Sequence, residues 1–395
     1  MAGASGPARR IGVLLGTRPE AIKLAPVVLA LRDAAGFEPV VVSTGQHADL
    51  VAPVLAAFGI DPDGEGVHDL ALMRPGQELS DLAGRATTAV GRAIADLGLA
   101  AVVVQGDTTT SLAGALAGFY RGVPVVHVEA GLRTGDRRAP WPEEANRRMI
   151  TQVADLHCAP TERAAGALLA EGVAPQSVIT TGNTVVDALL AILARSTGYT
   201  GPDAALLQRL EDADRRLLLV TAHRRESWGT GLEGIAHGVA AAATAHPELE
   251  VVVPLHPNPR VREALVPVLA GRPRVHLIEA LDYPDFARLL RRADLVLTDS
   301  GGIQEEACTL GRPTLVARTV TERPEGTEAG GLRLVGTSPL RIAAEIARLL
   351  RDPAAYEALV CRSSPFGDGA AATRIVIALD DLMRPVEDRP LSLVP

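Results

Sequence analysis

Lysine is almost absent from this chain. Of its 39 lysine and arginine residues, 38 are arginine, and Lys23 stands alone. Asparagine occurs only at Asn146, Asn183 and Asn258, and cysteine only at Cys158, Cys308 and Cys361. Three widely spaced cysteines exclude a disulfide framework and a cysteine metal site. Aromatic residues make up 3%, too few for the stacking platforms that hold single-stranded nucleic acid. No apolar run reaches the roughly 18 residues of a membrane span. The apolar stretch behind the basic start, residues 11–15, is too short for a signal peptide. These absences describe a soluble cytoplasmic protein. The net charge of −8 argues against nucleic acid or an anionic membrane as the main partner, since either wants a basic stripe. A small anionic ligand needs only a few local cations and stays open.

The shortage of lysine and asparagine reads as a coding bias. Where such a residue survives, its chemistry is hard to replace, because an ammonium and a guanidinium bind differently. What is present in quantity is apolar: 47% hydrophobic and 22% charged over 395 residues, enough for two or three packed domains. Short β-branched runs at 11–16, 39–43, 101–105 and 123–128 alternate with helical stretches such as 19–35 and 108–120. The pattern restarts at 217–221, 250–255, 275–279, 295–298 and 314–317, with helices at 231–245 and 284–292. Buried strands alternating with helices predict an α/β fold of two Rossmann-like, doubly wound parallel-sheet domains facing across a cleft. The turn-rich stretch 197–203 places the domain change near residue 195, giving domains 1–195 and 196–368, before a last helix from residue 369.

In such sheets ligands sit beyond the carboxyl ends of the strands. No G-x-G-x-x-G follows the first strand, which weakens a dinucleotide-dehydrogenase reading. Gly16-Thr17-Arg18-Pro19-Glu20-Ala21-Ile22-Lys23 follows it instead, with Arg18 at a helix N-terminus and Lys23 about one turn on. Both add charge to a site that already favours anions. Asp107 follows a second strand; Glu129 follows a third, and Glu143 lies on the loop beyond. The three read as a carboxylate cluster whose members raise and separate one another's pKa values, which suits acid/base work. A divalent-metal site is the other use of such a cluster, and the nearby arginines oppose it. In the second half His223 follows a strand and is a candidate proton shuttle or phosphate contact. Asp299-Ser300-Gly301-Gly302 ends a strand and opens a helix, exposing N–H groups as a pyrophosphate cradle does. Glu305 and Glu306, one turn along, can accept from ribose hydroxyls. Arg323 adds a further cation. The ligand expected from these residues is a nucleotide diphosphate derivative.

The motifs GTRPEAIKLAP, STGQH, GDTTT, HVEAGLRTGD, PWPEEANRR, TGNTVVDAL, TAHRRESWG, HPNPRVRE, TDSGGIQEEA and TERPEG, in this order, resemble the UDP-N-acetylglucosamine 2-epimerase family. The likeness is to its bacterial non-hydrolysing branch. It implies the glycosyltransferase B-type arrangement, with a C-terminal helix, 369–385, returning to the first domain, and a homodimer. It implies interconversion of UDP-N-acetylglucosamine and UDP-N-acetylmannosamine through a 2-acetamidoglucal, without NAD or an obligatory metal. By motif position Asp107, Glu129, Glu143 and His223 match the family's catalytic residues. Arg18, Lys23, Phe286, Ser300, Gly301, Gly302, Glu306 and Arg323 match its UDP contacts. A second UDP-N-acetylglucosamine acts as activator in this branch, and Gln46, His47, Gln77, Glu143, Arg224 and His256 fall in segments similar to that site.

Two departures stand out. Arg318-Thr319-Val320 precedes TERPEG where an acidic residue is common, and Gly330-Gly331 replaces a more usual Gly-Thr. Four other readings stay open: a hydrolysing relative that releases UDP and N-acetylmannosamine, an epimerase for a modified UDP-2-acetamido sugar, a glycosyltransferase of the same fold, and a binding regulator with dead chemistry.

Overall fold

The computed structural model describes residues 8–45, 48–74 and 76–384. The chain forms two units, Met1–Ala191 with Gly367–Pro395, and Ile192–Phe366. The division falls inside the helix Thr184–Arg195, a little before the change expected at 195/196.

The first unit holds β1 (Arg9–Leu15), β2 (Phe37–Ser43), β3 (Val67–Asp69), β4 (Ala101–Gln105), β5 (Val125–Val128), β6 (Leu156–Ala159) and β7 (Val178–Thr180). They form one sheet of order β3-β2-β1-β4-β5-β6-β7, and every pairing is parallel. All five residues of β4, Ala-Val-Val-Val-Gln, are buried, as a strand covered on both faces requires. The helix Thr109–Arg121 lies hard against this sheet. A Cβ at Gly114 would stand 2.3 Å from a Leu14 methyl, and one at Gly118 would stand 2.6 Å from a Val102 methyl. Only glycine permits that approach.

The second unit holds β8 (Arg216–Thr221), β9 (Leu249–Leu255), β10 (Val275–Glu279), β11 (Leu295–Thr298), β12 (Thr314–Val316) and β13 (Leu332–Leu334). Its order is β10-β9-β8-β11-β12-β13, again all parallel. Alternate residues feed two separate cores. Leu218, Val220, Val251 and Val253 face one layer, and Leu217, Leu219 and Val252 face the other, the period-two alternation of a strand. The two doubly wound parallel sheets agree with the fold class read from sequence; β3, β6, β7 and β13, which lie toward the edges of the sheets, were not among the strands expected.

The last helix, Ala371–Met383, belongs to the first unit. Asp187 accepts from the Ala371 and Ala372 N–H groups at 3.2 and 2.8 Å, and Arg374 donates to the Thr181 carbonyl at 3.0 Å. Among the described residues no helix is long and apolar enough to cross a membrane.

Each sheet reverses its strand order once, between β1 and β4 and between β8 and β11. Chain connections leave in opposite directions at such a point, so a crevice opens beyond the strand ends. The loops after β1 and β4 carry Gly16–Arg18 and Gly106–Asp107. Those after β8 and β11 carry Ala222–Arg224 and Asp299–Ser300.

Candidate active site

In the first unit the site is built on a buried acid. Thr17 caps the helix Arg18–Asp33, and Glu20 in its first turn completes a capping box. Glu20 is fully buried. It accepts from Gly16 N at 3.0 Å, Thr17 N at 2.8 Å, Thr108 Oγ1 at 2.6 Å and Ser111 Oγ at 3.0 Å. Burial raises its pKa, and these donors partly offset the rise. One carboxyl therefore ties the loop after β1 to the loop after β4.

Lys23, on the same helix, reaches the loop after β5. Its Nζ is ion-paired with Glu129 Oε2, which also accepts from the Gln105 side chain. The two side chains are 12% and 4% exposed, so neither charge is dissolved in bulk water. Glu129 holds a left-handed backbone, φ 61°, a conformation that costs a non-glycine residue about 1 kcal/mol or more. Asp107 is ion-paired with Arg147, and its carbonyl accepts from Asn146 Nδ2 at 2.9 Å. Arg147 also meets Glu144, 3.3 Å away. Between the two loops stands His127, fully buried on β5, with Nε2 2.7 Å from the Gly106 carbonyl. A carbonyl only accepts, so Nε2 carries the ring proton. Burial holds its pKa down at about 3, and the ring is neutral.

Two of the three carboxylates expected to cluster have a cation partner: Asp107 faces Arg147 and Glu129 faces Lys23. Glu143 begins the helix Glu143–Thr151; its Oε2 is buried and has no hydrogen-bond partner among the described residues. Arg18 opens its helix and is half-buried.

In the second unit Asp299 is fully buried at the end of β11. Its Oδ2 accepts from the backbone N–H groups of His223 and Arg224 at 2.9 and 2.8 Å, and its Oδ1 lies 3.5 Å from His223 Nδ1. The His223 ring stacks on His256 at 5.3 Å, with the planes 10° apart. Burial lowers the His223 pKa and Arg224 adds to the fall, while Asp299 opposes it. His256 is likewise lowered, by burial first and by His223 second.

Ser300 precedes the helix Gly301–Thr309 and makes no side-chain cap bond. A Cβ at position 301 would stand 3.5 Å from Arg323 Cζ and 3.6 Å from an Arg224 Nη2. Two guanidinium groups thus flank the first turn of a helix whose N–H groups carry partial positive charge. Arg224, expected from the resemblance in an activator site, lies beside the expected UDP residues of its own unit. Arg323 is ion-paired with the buried Glu305. Glu306 accepts from Tyr283 OH at 2.8 Å. Phe286 is half-buried against the core under this helix. The unusual Arg318 has acidic partners of its own, Glu226 at 2.6 Å and Glu322 at 3.6 Å.

Gln46 and His47 lie outside the described residues. Gln77 accepts from the Arg85 guanidinium and from Arg74 N, the latter at 3.3 Å. Two of the three asparagines are helix caps: Asn183 Oδ1 accepts from Val185 N at 3.2 Å and Asn258 Oδ1 from Arg260 N at 3.0 Å. Sequence reasoning missed Glu20, Gln105, Arg147 and Asp299. A Thr-x-x-Glu capping box before an apolar run is the signal that could have found Glu20.

Known proteins resemble this chain over nearly its whole length. The family model described as UDP-N-acetylglucosamine 2-epimerase matches residues 29–380. The UDP-N-acetylglucosamine 2-epimerase of Escherichia coli K12 is 46% identical, covering 94% of this chain and 98% of that one. The enzyme of that name from Bacillus subtilis is 43% identical, covering 93% and 94%. Among solved structures, the Neisseria meningitidis UDP-GlcNAc 2-epimerase bound to UDP-GlcNAc is 39% identical with a TM-score of 0.86, covering 94% of this chain and 99% of that chain. With strand-end loops built in this way and likeness at this level, the chain belongs to the UDP-N-acetylglucosamine 2-epimerase family.

Proposed function

We propose that the protein interconverts UDP-N-acetylglucosamine and UDP-N-acetylmannosamine at C2 without hydrolysis, in the cytoplasm and as a homodimer. The observation that carries this reading is the state of Glu129. A carboxylate held in a left-handed backbone, nearly buried and paired with the chain's only lysine, is strained and charged where simple packing would want neither. Such outliers persist where a reaction needs them.

The C2 hydrogen of the sugar is not next to a carbonyl, so a base alone removes it poorly. Departure of UDP comes first in effect: the C1–O bond breaks, positive charge grows at C1, and C2 becomes acidic. A carboxylate takes the C2 proton and the C1–C2 double bond of 2-acetamidoglucal forms. UDP then returns to C1 while a proton reaches C2 from the opposite face. Proton donors and acceptors on two faces call for more than one acid/base group, and Asp107, Glu129, Glu143 and His223 are assigned to this work. Preorganised donors stabilise the leaving diphosphate. That role falls to the first turn of Gly301–Thr309, with Ser300, Gly301, Gly302 and Arg323, and to Arg18 and Lys23. Glu306 receives ribose hydroxyls, and Phe286 lines the uracil. A second UDP-N-acetylglucosamine is taken as activator, with Gln46, His47, Gln77, Glu143, Arg224 and His256 as its residues. What supports binding of a UDP-sugar is the paired guanidinium groups at the helix N-terminus and the UDP-GlcNAc held by the Neisseria relative.

The test is hydrogen exchange at C2. Glu129→Gln and Asp107→Asn are expected to keep UDP affinity while deuterium incorporation from heavy water falls by about 100-fold or more. Undiminished exchange in both variants contradicts the assignment.

A further inference from the structure

The three cysteines promised nothing in sequence, yet two of them meet in the second unit. Cys308 sits on the helix Gly301–Thr309, and Cys361 lies in the segment that leads back to the first unit at Gly367. A Cβ at position 331 would stand 2.7 Å from Cys361 Cβ, 3.0 Å from Cys308 Sγ and 3.4 Å from Cys361 Sγ. Both sulfurs therefore flank one point, and Cys361 Sγ donates to the Ser363 carbonyl at 3.3 Å. Any side chain at position 331 would occupy the space that the two cysteines share. The Gly331 backbone is fixed beside them, with its N–H donating to the Gly326 carbonyl at 3.0 Å and its carbonyl accepting from Thr314 N at 3.2 Å.

We propose that Cys308 and Cys361 are a reversible thiol–disulfide pair, oxidised by low-molecular-weight disulfides, that tethers the helix Gly301–Thr309 to the segment before Gly367. Both are free thiols in this structure. Cys361 is the attacking member: it is 5% exposed, beside exposed Arg362 and Ser363, whereas Cys308 is 1% exposed. The neighbouring Cys308 lowers its pKa to about 7, while Cys361 and burial raise that of Cys308. The Cys361 thiolate attacks one sulfur of the small disulfide and expels the first thiolate. Cys308, losing its proton, then attacks the Cys361 sulfur and expels the second. Two protein thiols are oxidised to one disulfide, one small disulfide is reduced to two thiols, and the two protons go to the leaving thiolates. Cys158 stands apart: it is fully buried, and burial pushes its thiol up to about 12, which leaves it inert.

The test uses the full chain incubated with oxidised glutathione, then unfolded, alkylated and digested for peptide mapping. A cross-linked Cys308–Cys361 peptide is expected, with Cys158 alkylated and the cross-link removed by dithiothreitol. Gly331→Ala keeps both thiols and places a methyl between them, and is expected to slow cross-linking by about tenfold or more, because disulfide geometry tolerates little displacement. Cys361→Ser is expected to leave Cys308 unmodified, as the attacking thiol is gone. Persistent glutathione on Cys361 with no cross-link, no loss of thiols at all, or equally fast modification of Cys308 in Cys361→Ser overturns the proposal.

Discussion

The Lys23 ammonium is ion-paired with the Glu129 carboxylate, joining the helix after β1 to the loop after β5. The chain's one lysine is thus bound to a proposed catalytic acid, in addition to any part it takes in holding phosphate. Lys23→Ala leaves a nearly buried carboxylate without this cation, and is expected to lower kcat/KM by about 100-fold to 1000-fold. It is also expected to lower the unfolding midpoint, since stripping one partner from a buried pair costs stability. Lys23→Arg keeps the charge but brings a larger, planar group, and is expected to reduce kcat with little change in stability. Steady-state kinetics beside thermal unfolding check both. Wild-type kcat/KM for Lys23→Arg would show that any cation suffices.

Asp299 orients His223 through two backbone bonds and the ring's Nδ1 side. The Asp299 charge raises a His223 pKa that burial otherwise lowers. Asp299→Asn keeps one acceptor oxygen but removes the charge, so the His223 pKa must fall further. The limb of the kcat/KM pH profile that reports His223 is expected to move to lower pH, with kcat reduced. An unmoved profile contradicts a role for His223 as proton carrier.

Gly302 offers a separation of binding from stability. A Cβ there meets nothing within 4 Å, and the residue is in a helix. Gly302→Ala is expected to stabilise the free protein by up to about 1 kcal/mol, through lost freedom of the unfolded chain. It is expected to weaken UDP binding, because the methyl occupies the space proposed for phosphate. Calorimetric titration with UDP and denaturant unfolding read the two effects separately. Unchanged UDP affinity would move the phosphate away from this turn.

Acid should destabilise the first unit through its buried histidines. Burial lowers His127 from 6.5 to about 3 and His157 to about 4. The folded state keeps both neutral, while the unfolded chain takes up protons below about pH 6.5. Their stabilising preference is whole above that pH and is lost progressively as pH falls toward the folded pKa values. His127 alone should account for about 2 kcal/mol lost between neutral pH and pH 5. Denaturant unfolding from pH 7 to pH 5 is expected to show the decline, and His127→Gln to flatten it. Equal slopes for the two proteins would contradict the assignment.

The sheets were legible because long buried strands and amphipathic helices repeat in a fixed order, and β4 and β8 announce themselves as apolar runs. The residues after strands were legible for the same reason: Asp107, Glu129, His223 and Ser300 follow strand ends. Their partners were not. Lys23 and Glu129, or Asp299 and His223, are far apart in sequence, and no local pattern says which cation will meet which acid. The cations beside Asp107 and Glu129 were hidden for the same reason: composition shows charges but not distances. Asn183 and Asn258 looked chemical because they were rare, and are helix caps.

The central claim is epimerisation without hydrolysis, and one incubation tests it most directly. The protein is mixed with UDP-N-acetylglucosamine in heavy water, and UDP-sugars are separated from free UDP and free sugar. The account predicts UDP-N-acetylmannosamine carrying deuterium at C2, an equilibrium mixture of the two UDP-sugars, and no stoichiometric free sugar. Accumulation of N-acetylmannosamine and UDP in equal amounts would contradict it.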